Sequence, residues 1–191
     1  RSIHHNAIAI GGGKVYLIDR DRAVQDLVDS RRTEAASQSA DPPTGTLLCL
    51  DATTGNVLWE DDKDIYGTTL ISSTEHDVLV MGYQYSQRSF QLPSETGNRL
   101  TGFRAADGTR LWDAADAYIS RPLINDRTVY TQPIARDLLT GRRDETFQLT
   151  GRGPGGCGTI SGSTNPLLYR SGTLGYTDLS NNQGTENYGG V

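Results

Sequence analysis

Cys49-Leu50-Asp51-Ala52-Thr53-Thr54-Gly55-Asn56-Val57-Leu58-Trp59 is the stretch on which the fold turns. It recurs as Gly102-Phe103-Arg104-Ala105-Ala106-Asp107-Gly108-Thr109-Arg110-Leu111-Trp112, and again as Ala135-Arg136-Asp137-Leu138-Leu139-Thr140-Gly141-Arg142-Arg143-Asp144-Glu145. Each copy has a small residue two positions before an Asp or Arg, a Gly four positions after it, and a Trp, or Glu in the third copy, four beyond that. Repetition at this spacing marks an array of similar units. Leu48 and Leu50 alternate with Cys49 and Asp51, the period of a strand. Asp51 to Gly55 is a turn cluster whose Gly supplies the positive φ of a tight reversal. Val57 to Trp59 reads as the returning strand, so the copy is a β-hairpin ending in a large aromatic.

A second hairpin precedes each copy. Ile8-Ala9-Ile10 and Val15-Tyr16-Leu17-Ile18 flank Gly11-Gly12-Gly13. Leu70-Ile71 and Val78-Leu79-Val80-Met81 flank Ser72 to Asp77, and Leu123-Ile124 and Thr128-Val129-Tyr130 flank Asn125-Asp126. Leu167-Leu168-Tyr169 and Thr173-Leu174-Gly175-Tyr176, around Ser171-Gly172, read as the first hairpin of a further unit. Two hairpins make four strands, the size of one propeller blade. The expected fold is therefore all-β, a partial β-propeller of three and a half four-stranded antiparallel blades in one domain over 1–191. The blades fall near 1–60, 66–113, 118–150 and an incomplete 164–191.

Small-x-Asp-x-x-x-Gly-x-x-x-Trp resembles the tryptophan-docking repeat of the quinoprotein-type β-propellers, the pyrroloquinoline-quinone-like repeat of bacterial proteins. Asp51, Gly55, Trp59, Gly108, Trp112, Asp137 and Gly141 carry the resemblance, with Arg104 and Glu145 as departures. In the family each Trp packs between neighbouring blades, which implies buried positions near blade interfaces for Trp59 and Trp112 alone. Three and a half blades of ~45–50 residues do not close the eight-bladed ring usual in the family. The chain, starting at Arg1 without Met, is thus expected to be a fragment of a longer protein.

Two insertions break the rhythm. Residues 21–43 carry Ala23, Val24, Leu27 and Val28 on one stripe and end at Pro42-Pro43, the pattern of a helix. Residues 84–99 are polar, with Pro93 and Gly97, and read as a long loop. Both lie between the second and third strands of their blades.

The net charge of -5 over 191 residues argues against nucleic acid, whose binders concentrate basic charge. The only basic doublets are Arg31-Arg32 and Arg142-Arg143. No apolar run approaches the ~20 residues of a membrane helix. Two cysteines exclude a dense disulfide framework. Cys49 reads as a buried thiol; Cys157 is open to pairing with Cys49, to pairing with a cysteine outside this segment, which is favoured, or to remaining a thiol.

Gly151-Arg152-Gly153-Pro154-Gly155-Gly156-Cys157-Gly158-Thr159-Ile160-Ser161-Gly162-Ser163 is the main feature outside the repeat. It lacks the Gly-Lys-Ser/Thr of a phosphate loop and opens no βαβ helix. A tight connection between blades is one reading. The other is a small-ligand site at Arg152, Cys157 and Ser161, where backbone N–H groups, a cation and a thiol meet. Adjacent His4 and His5 on a strand point to opposite faces and do not share a metal. Asp62, taken as the first position of a calcium loop, puts Tyr66 fifth and Ser73 twelfth, so no EF-hand forms and Asp61 to Asp64 reads as a solvated turn. No catalytic residue and no metal ligand emerges.

The resemblance implies two functions. One is a non-catalytic binding or scaffolding module of an exported bacterial protein, periplasmic or extracellular, with no cofactor, whose partner is another protein or the remaining blades. The other is part of a pyrroloquinoline-quinone-dependent alcohol or sugar dehydrogenase, with the quinone and calcium. The family's dehydrogenases commonly place a vicinal Cys-Cys disulfide over the quinone, a pair this sequence lacks. The expectation leans to the non-catalytic module.

Overall fold

The computed structural model describes residues 7–20, 44–83, 97–118, 120–131, 133–147, 160–170, 174–181 and 183–186. The expected helix at 21–43 and residues 84–96 of the expected loop at 84–99 fall outside them, as do Arg152 and Cys157; the end of that loop is corrected, because Arg99 already opens a strand. Among the described residues the chain is all-β, with no helix. It forms four antiparallel sheets and divides into two compact units, 1–117 and 118–191.

In the first unit, β1 (Ile8–Gly11), β2 (Lys14–Arg20), β3 (Gly45–Asp51) and β4 (Val57–Asp61) make a four-stranded meander. β5 (Thr69–Ser73), β6 (Val78–Gly82), β7 (Arg99–Arg104) and β8 (Arg110–Ala115) make the second. Both break register at equivalent points, between Cys49 and Leu50 and between Gly102 and Phe103. Each bulge sits beside its Trp, because Cys49 pairs with Trp59 and Gly102 with Trp112. A repeat in sequence is therefore a repeat in register.

In the second unit, β9 (Leu123–Asn125), β10 (Thr128–Tyr130) and β11 (Ala135–Asp137) form a three-stranded sheet. Among the described residues its fourth strand is reduced to one bridge, Arg136 with Arg143. β12 (Ser161–Gly162), β13 (Pro166–Arg170), β14 (Leu174–Asp178) and β15 (Gln183–Glu186) complete a four-stranded sheet. Tyr130, Ala135, Phe147, Ile160, Leu167 and Tyr169 form the shared core of these two sheets, with Leu123 and Leu179 against it. Tyr130 meets Phe147 edge-on, at 5.2 Å between ring centres.

The fourth unit goes further than its sequence pattern. Leu167 to Tyr169 and Leu174 to Tyr176 are the second and third strands of that sheet, where the first and second are expected. Ser161 and Gly162, at the end of the glycine-rich stretch, supply the first. The fourth follows a turn built on Asp178, whose Oδ1 accepts from Ser180 N and Ser180 Oγ at 2.9 and 2.6 Å. This is a further copy of the docking hairpin, with Asn182 and Glu186 in the places of Gly and Trp.

One backbone bond ties both hairpins of every unit together. The residue after the turn Asp or Arg donates to the first hairpin: Ala52 N to Gly13 O, Ala105 N to Asp77 O, Leu138 N to Arg127 O and Leu179 N to Asn165 O, at 2.7–2.9 Å.

Candidate functional site

The docking turns come first, because they fix where every other group lies. Asp51 Oδ1 accepts from Thr53 N, Thr54 N and Thr54 Oγ1 at 3.0, 2.7 and 2.9 Å. Asp137 Oδ1 accepts from Leu139 N, Thr140 N and Thr140 Oγ1 at 3.1, 2.8 and 2.8 Å. Gly55 and Gly141 follow at φ 72° and 67°. The second copy has Arg104 at the first position and moves the acceptor three residues on: Asp107 Oδ1 takes Thr109 N at 2.9 Å, and Arg104 pairs with Asp107 Oδ2 at 3.2 Å. These bonds favour the charged carboxylates. Thr54 holds Asp51 below the ordinary range, and Thr109, helped by Arg104, holds Asp107 at about 2. For Asp137, burial pulls upward, and the bonds from Thr140 and Arg127 outweigh it.

The aromatic end of the hairpin makes the joint within the first unit. Trp59 Nε1 donates to Ala105 O at 3.1 Å, and Tyr16 Oη donates to the same oxygen at 3.3 Å. A Cβ at Gly108 would lie 2.8 Å from the Trp59 ring, so the indole rests on the glycine of the next sheet's turn. Burial, then Cys49 and Asp77, pushes the Tyr16 phenol up to about 12. Trp112 is buried over Gly102, as expected. Trp59 is only half-buried, contrary to expectation.

A second fastening was not visible in the sequence. Asp64, at φ 53°, takes Arg99 Nη1 and Nη2 at 3.0 and 2.5 Å. Arg99 also grips Asp113, through Nε at 2.9 Å and through Nη2, while Arg110 Nη2 donates to Lys63 O at 2.7 Å. The Arg99 guanidinium lies 4.5 Å from the Tyr66 ring centre, and Tyr66 stacks on Tyr83 at 5.0 Å. The bond from Arg99 is the main reason the Asp64 carboxyl sits below its ordinary range. So 61–64 is no plain solvated turn: it ties the link between two sheets onto β7 and β8. Asp64 and Arg99 are 35 positions apart, and no local pattern announces them.

The face left over is the candidate binding surface. Register puts Ala9, Tyr16, Ile18, Leu47 and Cys49 on one side of the first sheet, where all are buried. The Cys49 thiol, pushed up by burial, is among them and is not in a disulfide. Ile8, Ile10, Val15, Leu17, Leu48, Leu50 and Val57 share the other side. There Ile8 is 40% exposed, Ile10 72% and Val57 54%, and the other four are half-buried. An exposed apolar sheet face of this kind is a candidate for interaction.

Of the three residues proposed for a small ligand, the described structure contains Ser161. It is exposed on β12 and pairs with Leu168.

No family model matches the sequence, and no curated protein matches it significantly. Solved structures do. BamB from Moraxella catarrhalis aligns with 94% of this chain at 17% identity and a TM-score of 0.58. The chain spans 48% of that protein's length. The computationally designed Ika4 protein aligns with 93% of this chain and 91% of its own length, at 14% identity and a TM-score of 0.56. A europium-containing methanol dehydrogenase aligns more loosely, at 12% identity and a TM-score of 0.47 over 39% of its length. The first two likenesses show the fold: the chain has β-propeller architecture.

Proposed function

We propose that this quinoprotein-like propeller segment is a non-catalytic binding or scaffolding module of an exported bacterial protein, working in the periplasm or outside the cell. The observation that carries the reading is the apolar face of the first sheet, which exposes Ile8, Ile10 and Val57 among the described residues. It is the surface onto which another sheet packs, whether from remaining blades of a longer propeller or from a protein partner. The repeat's own chemistry agrees. Asp51 and Asp137 spend Oδ1 on their own turns, and Arg127 occupies Asp137 Oδ2 at 2.8 Å. The repeat's turn carboxylates thus do structural work, and a dehydrogenase segment draws support from family resemblance alone.

Two measurements test this. Charging the face with Ile10→Lys and Val57→Lys is expected to abolish concentration-dependent self-association and binding of a hydrophobic dye while leaving the melting temperature unchanged. Unchanged association in the double variant would sink the docking role. Titration with pyrroloquinoline quinone and calcium, followed by dye-linked assay with alcohols and aldoses, is expected to show neither binding nor turnover. Micromolar quinone affinity with dye reduction would install the dehydrogenase reading instead.

A further inference from the structure

The third hairpin keeps its turn but changes what stands beside it. The cross-strand pair next to the turn is Leu50 with Val57 in the first copy and Phe103 with Arg110 in the second. In the third it is Arg136 with Arg143. Like charges directly opposite each other destabilise a sheet. The fold does not need this pair, since the first copy makes the same turn with two apolar residues.

Arg136 is 5% exposed and donates from Nη1 to Gly141 O at 2.7 Å. Burial, and then Arg143, pulls its guanidinium below the ordinary arginine range. With Arg127, Arg142 and Arg143 it lines an open groove of about 440 Å³, which also contains Asp137 and Asp144. Four cations therefore face two carboxylates, in a chain whose net charge is -5. Those carboxylates are largely committed: Asp137 to its turn and to Arg127, Asp144 Oδ1 to Thr146 N and Oγ1 at 2.9 and 2.6 Å. Arg142 and Arg143 are exposed, and Arg143 Nε reaches Glu145 only at 3.6 Å.

We propose that this groove is a docking site for an acidic peptide segment, with the guanidinium forks of Arg142 and Arg143 receiving neighbouring side-chain carboxylates above the buried Arg136. Guanidinium matches carboxylate geometry with two parallel bonds, where a lysine would offer a point charge. The groove's size fits several side chains rather than one small ion. The inference rests on the binding-module reading and names the chemistry of a partner at a surface separate from the apolar face.

The test uses the whole chain with hexaglutamate, hexalysine and inorganic phosphate as probes, by calorimetry at low salt. Hexaglutamate is expected to bind and hexalysine to show no heat. Arg142→Ala with Arg143→Ala, both on exposed positions, is expected to weaken hexaglutamate at least about tenfold without changing the melting temperature. Arg104→Ala, at the second hairpin, is expected to leave it unchanged. No binding to wild type, an equal loss in Arg104→Ala, or full binding by the double variant would each overturn the site. Phosphate binding as tightly as hexaglutamate would overturn the acidic segment in favour of a small anion. None of these results bears on the apolar face, whose own variants decide the module reading.

Discussion

The first and third docking hairpins begin alike and end differently. Asp51 and Asp137 gather the same three donors, and Gly55 and Gly141 take the same left-handed conformation. Yet Trp59 crosses to the Ala105 carbonyl, while Glu145, in the matching place, has a side chain 77% exposed. β4 runs five residues beside β3, and among the described residues its counterpart in the third sheet shrinks to a single bridge. The turn is a local device whose acceptor, donors and glycine lie within five residues of one another. The dock is not local, since it needs a carbonyl and a glycine 46 and 49 positions away. A unit can therefore lose its dock and keep its turn.

That contrast should appear first in stability. Trp112→Ala removes a buried indole and is expected to cost about 3–5 kcal/mol in denaturant melts. Trp59→Ala, half-buried with one hydrogen bond, should cost about 2 kcal/mol. Glu145→Ala should fall within about 0.5 kcal/mol of wild type, as exposed substitutions do. Equal losses at Trp59 and Glu145 would mean that the third hairpin docks after all.

The glycines separate turn from dock more finely. Gly55 and Gly108 share positive φ, at 72° and 76°, and an alanine at either meets the left-handed penalty of about 1–2 kcal/mol. Nothing lies within 4 Å of a Cβ at Gly55, whereas one at Gly108 would collide with Trp59. Gly108→Ala should therefore cost more than Gly55→Ala, and the excess should vanish in a Trp59→Ala background. An excess that survives there would assign the close approach to something other than the indole.

The same distinction explains what the sequence could show. Hairpins and turns are written in spacings of four and eight residues, so they are legible, whereas the bulge beside each Trp emerges only in the register. Asp64 finds Arg99 only through the meander, and it reads as a loop carboxylate until β7 is in place. Residues 161–186 show only two of their sheet's four strands, because the first strand is two residues long and the turn copy has Asn182 and Glu186 where Gly and Trp would flag it. The polar turn bonds of Asp178 with Ser180 were the remaining signal. Arg142-Arg143 was legible as a doublet, but its opposition to the buried Arg136 needs the bridge. The apolar outer face of the first sheet follows from alternation alone, yet its exposure does not.

The smallest effect concerns the turns themselves. The carboxyls of Asp51 and Asp137 lie below their ordinary range, and that of Asp107 sits at about 2. A depressed folded value means that the unfolded chain binds more protons, so this contribution is complete above the unfolded carboxylate range near pH ~4 and is lost as pH falls through the folded values. Melting temperature should be level from pH 7 to about 5 and decline between about 4 and 2. Asp51→Asn with Asp137→Asn keeps an Oδ1 acceptor for the turn donors but removes the titrating group. The double variant should melt slightly lower at pH 7 and lose part of the acid decline, while Arg104→Ala, which leaves Thr109 bonded to Asp107, should retain most of it. An acid decline of the same steepness in the Asn variant would show that Asp51 and Asp137 do not carry it.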